Sequence, residues 1–252
     1  MNKYTADVLQ HAQGIRQQSE AWDKIRLGKF TASTVHNLMS EPRSKADRDA
    51  GKLSQTAEKY VIQKAMEIVT GESQEDAYGR AIDWGNEWEE HALGELKKQL
   101  EFESGSEVRM VMKPPFKLWN EFAGCSADAI IYDREMDPLL IVEIKCPYNS
   151  VTHFMHSRIS DGESLRDINE DYFWQVQMNM LVHQTTAGYF ASYDPRQPEH
   201  RRLHYARIEA DITALTTLCE KLEKAEREKR IYVNEWRRNV NNSTTTRGGV
   251  NL

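Results

Sequence analysis

Cysteine is scarce in this chain: Cys125, Cys146 and Cys219 are the only three in 252 residues. They are odd in number, far apart and never arranged as C-x-x-C, so neither a disulfide framework nor a four-cysteine zinc or iron–sulfur site is supported. No apolar run approaches the length of a membrane span, and Met1 to Ser19 lacks the basic-then-apolar order of a signal peptide. A soluble intracellular protein without membrane contact is therefore expected. There is no G-x-x-x-x-G-K-[ST] loop, which removes a nucleotide-driven motor and any need for ATP. A basic excess is missing too. The formal net charge of −6 argues against a protein that coats nucleic acid indiscriminately, because such affinity rests on Lys and Arg neutralising phosphates. An enzyme acting on nucleic acid stays compatible if its basic residues are gathered in one channel.

What is present describes a globular chain. Hydrophobic residues make up 39% and charged residues 29%, and the length suits one large domain, expected over residues 1–238. The Asn, Ser, Thr and Gly rich stretch from Asn239 to Leu252 has nothing to bury and is expected to be a disordered tail. Apolar spacing predicts helices over Gln55 to Thr70, ended by Gly71, and through Trp84, Trp88, Ala92 and Leu96. Strands are predicted at Val108 to Met112, Gly124 to Tyr132 and Leu139 to Lys145. A polar connection containing Asp161 and Gly162 follows. Then come a helix from Asp171 to Gln184, strands at Tyr189 to Tyr193 and Leu203 to Ile208, and a long helix from about Ile212 to Trp236. The fold class is α/β or α+β: a central mixed sheet flanked by helices, with N-terminal helices and a long C-terminal one.

The stretch that carries chemistry is Asp128 with Glu143-Ile144-Lys145, fifteen residues further on. Glu143 and Lys145 lie two apart on a predicted strand, so both side chains leave one face while Ile144 points the other way, into the core. An Asp from the neighbouring strand can meet them. By itself E-x-K also reads as a solvated ion pair. The apolar run Leu139 to Val142, however, reads as a central strand, where two charges facing Asp128 are costly without a metal or other partner. Hard divalent cations prefer such oxygen ligands, and Mg²⁺ is commonly held by one or two carboxylates with water and phosphate oxygens. Phosphodiester cleavage needs roughly 20 kcal/mol of barrier lowering, whereas a lone acid–base residue supplies about 3–5 kcal/mol, so the metal is essential to that reading. His153 and His156, three apart, could share a helix face, but no cysteine or carboxylate completes a zinc set around them.

These residues resemble the D…E-x-K signature of PD-(D/E)XK nucleases, and the surrounding text resembles the phage lambda exonuclease and YqaJ-type viral recombinase group. The resembling segments are Trp22 to Gly28, Thr31 to Asn37, Trp84-Gly85 with Glu89, Cys125 to Asp128, Glu143 to Pro147, Gln175 to Gln177 and Tyr189 to Pro195. They occur in the same order across most of the chain. The resemblance implies a restriction-endonuclease-like core and metal ligation by Asp128, Glu143 and the carbonyl of Ile144, with Glu89 contributing and Lys145 catalytic. Mg²⁺ is the implied cofactor, with Mn²⁺ as a substitute. Gln175 matches the glutamine of a Q-x-x-x-Y-like helix, although Asn179 stands in the tyrosine position. Alone, Glu89 and Gln175 read as ordinary polar helix positions.

The resemblance further implies a 5′-phosphate pocket of Arg26, Ser33 and Ser126, an apolar wedge at Ile82 and a minor-groove arginine at Arg43. Physically the pocket is sound, since guanidinium binds phosphate bidentately and hydroxyls add neutral donors. Taken singly, Arg26 reads as surface, Ile82 as packing and Arg43 as loop. The implied activity is 5′-to-3′ digestion of one strand of double-stranded DNA from its ends, leaving a 3′ overhang for single-strand annealing recombination. A ring-shaped homotrimer, an annealing-protein partner and a bacterial host cytoplasm are implied with it. Two rival readings are an endonuclease of the same fold and a DNA-end binding protein without catalysis. The unpaired carboxylates argue against the second, since nothing but chemistry requires them together.

Overall fold

Capping side chains set where several of the helices begin. A computed structural model describes residues 17, 19–74 and 80–245, the side chains of 80–82 and 239–245 excepted. Ser19 accepts from the Trp22 amide to open α1 (Glu20–Arg26), which leads to β1 (Phe30–Thr31) and a 3₁₀ turn at Val35–Leu38. Ser44 and Ser54 cap α2 (Lys45–Asp49) and α3 (Gln55–Thr70) in the same way. Gly71 ends α3 at φ 72°, the left-handed conformation that a residue without Cβ adopts freely. Next comes α4 (Arg80–Ser104), followed by β2 (Arg109–Met112) and β3 (Lys117–Leu118).

The stretch read as one strand from Gly124 to Tyr132 is in fact two. β4 (Ala123–Cys125) belongs to a three-stranded sheet in the order β1-β4-β3. β5 (Ala129–Tyr132) belongs to a five-stranded sheet in the order β2-β5-β6-β7-β8, where β6 is Pro138–Lys145. The chain changes sheets at Ser126, Ala127 and Asp128. The expected polar connection after β6 is also more ordered than its composition suggests. It holds α5 (Ser150–His156) and α6 (Gly162–Ile168), capped by Asn149 and Asp161, before α7 (Glu170–His183). β7 (Ala187–Tyr193), α8 (Glu199–Arg202) and β8 (Leu203–Glu209) complete the sheet. α9 (Ile212–Thr245) runs past Trp236, where its apolar periodicity stops. Asn, Ser and Thr each cost a helix no more than about 0.7 kcal/mol, and glycine first intervenes later. Residues 246–252 of the expected tail lie outside the described residues.

Only β6 and β7 run parallel in the larger sheet; the other pairs are antiparallel. Alternation along β6 divides its side chains between two cores. Leu140, Val142 and Ile144 pack with Ala92, Leu93 and Leu96 of α4. Ile141 joins Val176 and Met180 of α7 and Leu218 and Leu222 of α9 on the opposite face. Glu143 and Lys145 share the α7 face with Ile141, at the carboxyl end of the strand. Ile144 points away from them into the α4 core, as the spacing predicts. No described helix is long and apolar enough to cross a membrane.

Candidate active site

The change of sheets at Ser126–Asp128 builds the site. The amide of Asp128 donates to the Val142 carbonyl at 3.2 Å, and its own carbonyl accepts from the Lys113 amide at 2.7 Å. Its side chain is thereby set opposite Glu143, and Oδ2 accepts from the Ile144 amide at 2.7 Å. Glu143 is 1% exposed, so the solvated ion pair is excluded as its surroundings. Lys145 Nζ donates to Glu143 Oε1 at 2.6 Å and to Gln175 Oε1 at 3.2 Å. Gln175 Nε2 donates to the same Glu143 oxygen at 2.6 Å, and Asn179 Nδ2 donates to Oε2 at 2.8 Å. The Lys145 ammonium also lies 4.7 Å from the centre of the Tyr172 ring. From α4, Glu89 approaches Lys113 at 3.6 Å.

The small sheet brings a second group to the same place. Parallel pairing of β1 with β4 sets Thr31 beside Gly124, so that the Ala32-Ser33 turn faces Ser126. Trp22 Nε1 donates to Ser126 Oγ at 2.8 Å, and the Arg26 guanidinium stacks 3.9 Å from the Trp22 ring centre. Gly28, at φ +69°, turns the chain between α1 and β1. Its amide donates to Glu67 Oε2 at 2.9 Å and its carbonyl accepts from Lys229 Nζ at 2.6 Å. Both partners are buried and ion-paired, Glu67 with Lys64 and Lys229 with Glu226. This turn is therefore pinned from α3 and α9 at once.

One cavity of about 590 Å³ unites the two groups. Arg26, Ser33, Ser126, Glu89, Asp128, Glu143, Ile144, Lys145 and Gln175 all line it. Arg43 does not; it is exposed in the loop before α2. The Ile82 side chain lies outside the described residues. From sequence alone Tyr172, Trp22 and Lys113 carry no assigned role, and Asn179 stands out only as a departure from the motif. Tyr172 and Asn179 lie three before and four after Gln175, a helical spacing that could have flagged both. His153 and His156 turn their Nδ1 atoms to Ser192 Oγ at 2.9 and 3.1 Å, a structural use of both rings. All three cysteines are free.

Charge in the cavity is lopsided. Burial raises the Asp128 carboxyl well above the usual range and Glu143 raises it further, against the pull of Lys145. Glu89 is raised as well, by burial first and by Glu143, with Lys113 opposing. Burial acts to lower Lys145, but Glu143 and Asp128 outweigh it and keep the ammonium charged. The Cys146 thiol at the cavity wall is pushed up to about 12 by burial and Glu89, so it is no thiolate nucleophile near neutrality.

Among the described residues, no three His, Cys, Asp or Glu side chains converge closely enough to hold a metal ion by themselves. The donors that line the cavity nevertheless fit a hard divalent cation. They are all oxygen, two carboxylates suffice when water and phosphate complete the shell, and a cation relieves the repulsion that raises Asp128.

Residues 21–189 match the model of the YqaJ-like viral recombinase domain. A comparison with curated protein sequences gives no match. Among solved structures the chain resembles an alkaline exonuclease, LHK-Exo, of Laribacter hongkongensis, at 22% identity and TM-score 0.67, covering 89% of this chain and 99% of that one. The LHK-Exo complex with dAMP matches at 24% identity and TM-score 0.66 over the same shares. A phage-related exonuclease of Haemophilus somnus 129PT matches at 21% identity and TM-score 0.64, over 82% of this chain and 96% of that one. At these identities the likeness establishes the fold, which is restriction-endonuclease-like with its mixed sheet between helices. With the domain model matched over more than half its length, the chain belongs to the YqaJ-like viral recombinase family.

Proposed function

We propose that this protein is a Mg²⁺-dependent deoxyribonuclease that digests one strand of linear duplex DNA from a 5′-phosphorylated end, leaving a 3′ single strand for annealing-type recombination. The single observation that carries this reading is the shared cavity. The cluster of Asp128, Glu143 and Lys145 opens into the same space as Arg26, Ser33 and Ser126. A nuclease indifferent to ends has no need of a guanidinium and two hydroxyls beside its scissile position. The naming of similar structures as exonucleases, one of them holding dAMP, supports release of deoxynucleotides.

Asp128 and Glu143 would hold the cation, with the Ile144 carbonyl and Glu89 as further oxygens; Mn²⁺ suits the same donors. When bound, the cation polarises the phosphate and acidifies water. Lys145, kept protonated by its two carboxylate neighbours, neutralises charge that develops on the phosphate oxygens. Gln175 holds both Glu143 and Lys145 in register. Arg26, stiffened by stacking on Trp22, takes the terminal phosphate with Ser33 and Ser126. Each cut creates a new terminal phosphate for that same subsite, which accounts for a fixed polarity. Arg43 would meet the duplex minor groove and Ile82 part the strands. A single domain over residues 1–238, a homotrimeric ring around DNA, an annealing-protein partner and action in a bacterial cytoplasm complete the proposal.

End-labelled linear duplex compared with closed circular duplex tests it. Linear DNA with a 5′-phosphate should be degraded in Mg²⁺ without ATP, DNA with a 5′-hydroxyl more slowly, and the circle not at all. Cutting of the circle at a comparable rate makes the protein an endonuclease instead.

A further inference from the structure

Glu143 is gripped on both oxygens, but unequally. Oε1 accepts from Lys145 at 2.6 Å and from Gln175 at 2.6 Å, whereas Oε2 accepts from Asn179 at 2.8 Å. A carboxylate offers about two acceptor directions per oxygen. Oε1 is therefore filled by protein donors, and one direction is left on Oε2. The Asn179 amide cannot be turned over, because its oxygen would then face a carboxylate oxygen. Gln175 is likewise fixed, with its own oxygen toward the Lys145 ammonium.

Asn179 carries a second, independent signature. The residue is fully buried, and among the described residues its Oδ1 finds no hydrogen-bond partner. A buried orphan carbonyl costs stability, and an aliphatic side chain of the same size would avoid that cost. Among the described residues the Asn179 side chain makes one polar bond, to Glu143. Packing alone therefore does not account for an amide at this position; holding Glu143 does.

We propose that Asn179 is a positioning residue that fixes the plane of the Glu143 carboxylate, so that Oε2 alone is offered to the divalent cation. This inference rests on the functional reading above. It assigns Asn179 no contact with DNA or with the reacting atoms. Groups that orient metal ligands change cation affinity about 10- to 100-fold when removed.

Two variants separate positioning from mere packing. Asn179→Leu fills the site and removes the orphan oxygen, while Asn179→Ala leaves a void; neither donates to Glu143. Both should weaken calorimetric Mn²⁺ binding to the DNA-free protein at least about tenfold and raise the Mg²⁺ concentration for half-maximal nucleotide release by a similar factor. They should differ in unfolding midpoint, with Leu the more stable, and both should bind DNA ends in EDTA as wild type does. Mn²⁺ binding by Asn179→Leu within twofold of an active wild type overturns the inference and leaves the functional reading standing. So does a cation defect that follows the loss of stability from Leu to Ala. A wild type that neither binds Mn²⁺ nor releases nucleotides overturns both.

Discussion

Replacing Gly28 with alanine should destabilise the protein by about 2–3 kcal/mol and impair recognition of the DNA terminus. The estimate has two parts. A residue with Cβ at φ +69° bears roughly 1–2 kcal/mol of left-handed strain. The new Cβ would stand 2.3 Å from Ile68 Cγ1 and 2.9 Å from Cδ1, distances that cannot persist. Ile68 is 42% exposed and can rotate away, which limits this part to about 0.5–1.5 kcal/mol for an unfavourable rotamer. Backbone strain is therefore the larger share. Gly51 provides the control: it has φ +63° and nothing within 4 Å of a built Cβ, so Gly51→Ala should show the strain alone. Urea denaturation of wild type and both variants measures the difference, with Gly28→Ala also melting roughly 5–10 °C below wild type for a chain of this size. The Gly28 peptide is held by Glu67 and Lys229 immediately after Arg26, so its distortion should raise the concentration of 5′-phosphorylated ends needed for half-maximal rate. A loss for Gly28→Ala no larger than for Gly51→Ala would refute the crowding at this turn.

Further outcomes follow from the same geometry. Lys145→Ala should abolish nucleotide release while the protein still folds and binds DNA ends, and near-normal turnover removes Lys145 from the mechanism. Arg26→Ala should erase the rate difference between 5′-phosphate and 5′-hydroxyl duplexes; if wild type ignores the phosphate, the terminal subsite is wrong. His183 is held down to about 3, first by burial and then by Lys117, so the native state stays neutral there while the unfolded chain takes a proton below its ordinary 6.5. Stability is thus lost as pH falls through that window, by up to about 1.4 kcal/mol per pH unit for one proton. His183→Gln should flatten the acid limb of a stability profile from pH 6 to 4, and an unchanged slope contradicts the buried neutral imidazole.

Long periodic elements were legible in the sequence because each turn repeats the same apolar signal. Thus α3 ends at Gly71 as its spacing predicts, and β6 sends Ile144 to one core and Glu143 with Lys145 to the other. The division of Gly124 to Tyr132 was not legible: period-two alternation reports which face a residue takes, not which sheet it joins. α5 and α6, seven residues each, are too short for periodicity, although the capping box at Asp161 and Ser164 was there to read. The spacing of Asp128, Glu143 and Lys145 gave away the acidic cluster. Lys113 reaches it from a separate element, and only folding brings it near, whereas Tyr172 shares a helix with Gln175 at a spacing the sequence shows. Asn179 was visible as a departure from a helix pattern, but its bond to Glu143 belongs to tertiary packing.

The most direct measurement is nucleotide release from a 5′-phosphorylated, 5′-labelled duplex, followed as Mg²⁺ is titrated against EDTA. The expected result is release of the labelled terminal nucleotide that rises with free Mg²⁺ and vanishes in excess chelator. Undiminished release in EDTA would contradict the assignment of Asp128, Glu143 and Lys145 as a cation-dependent active site.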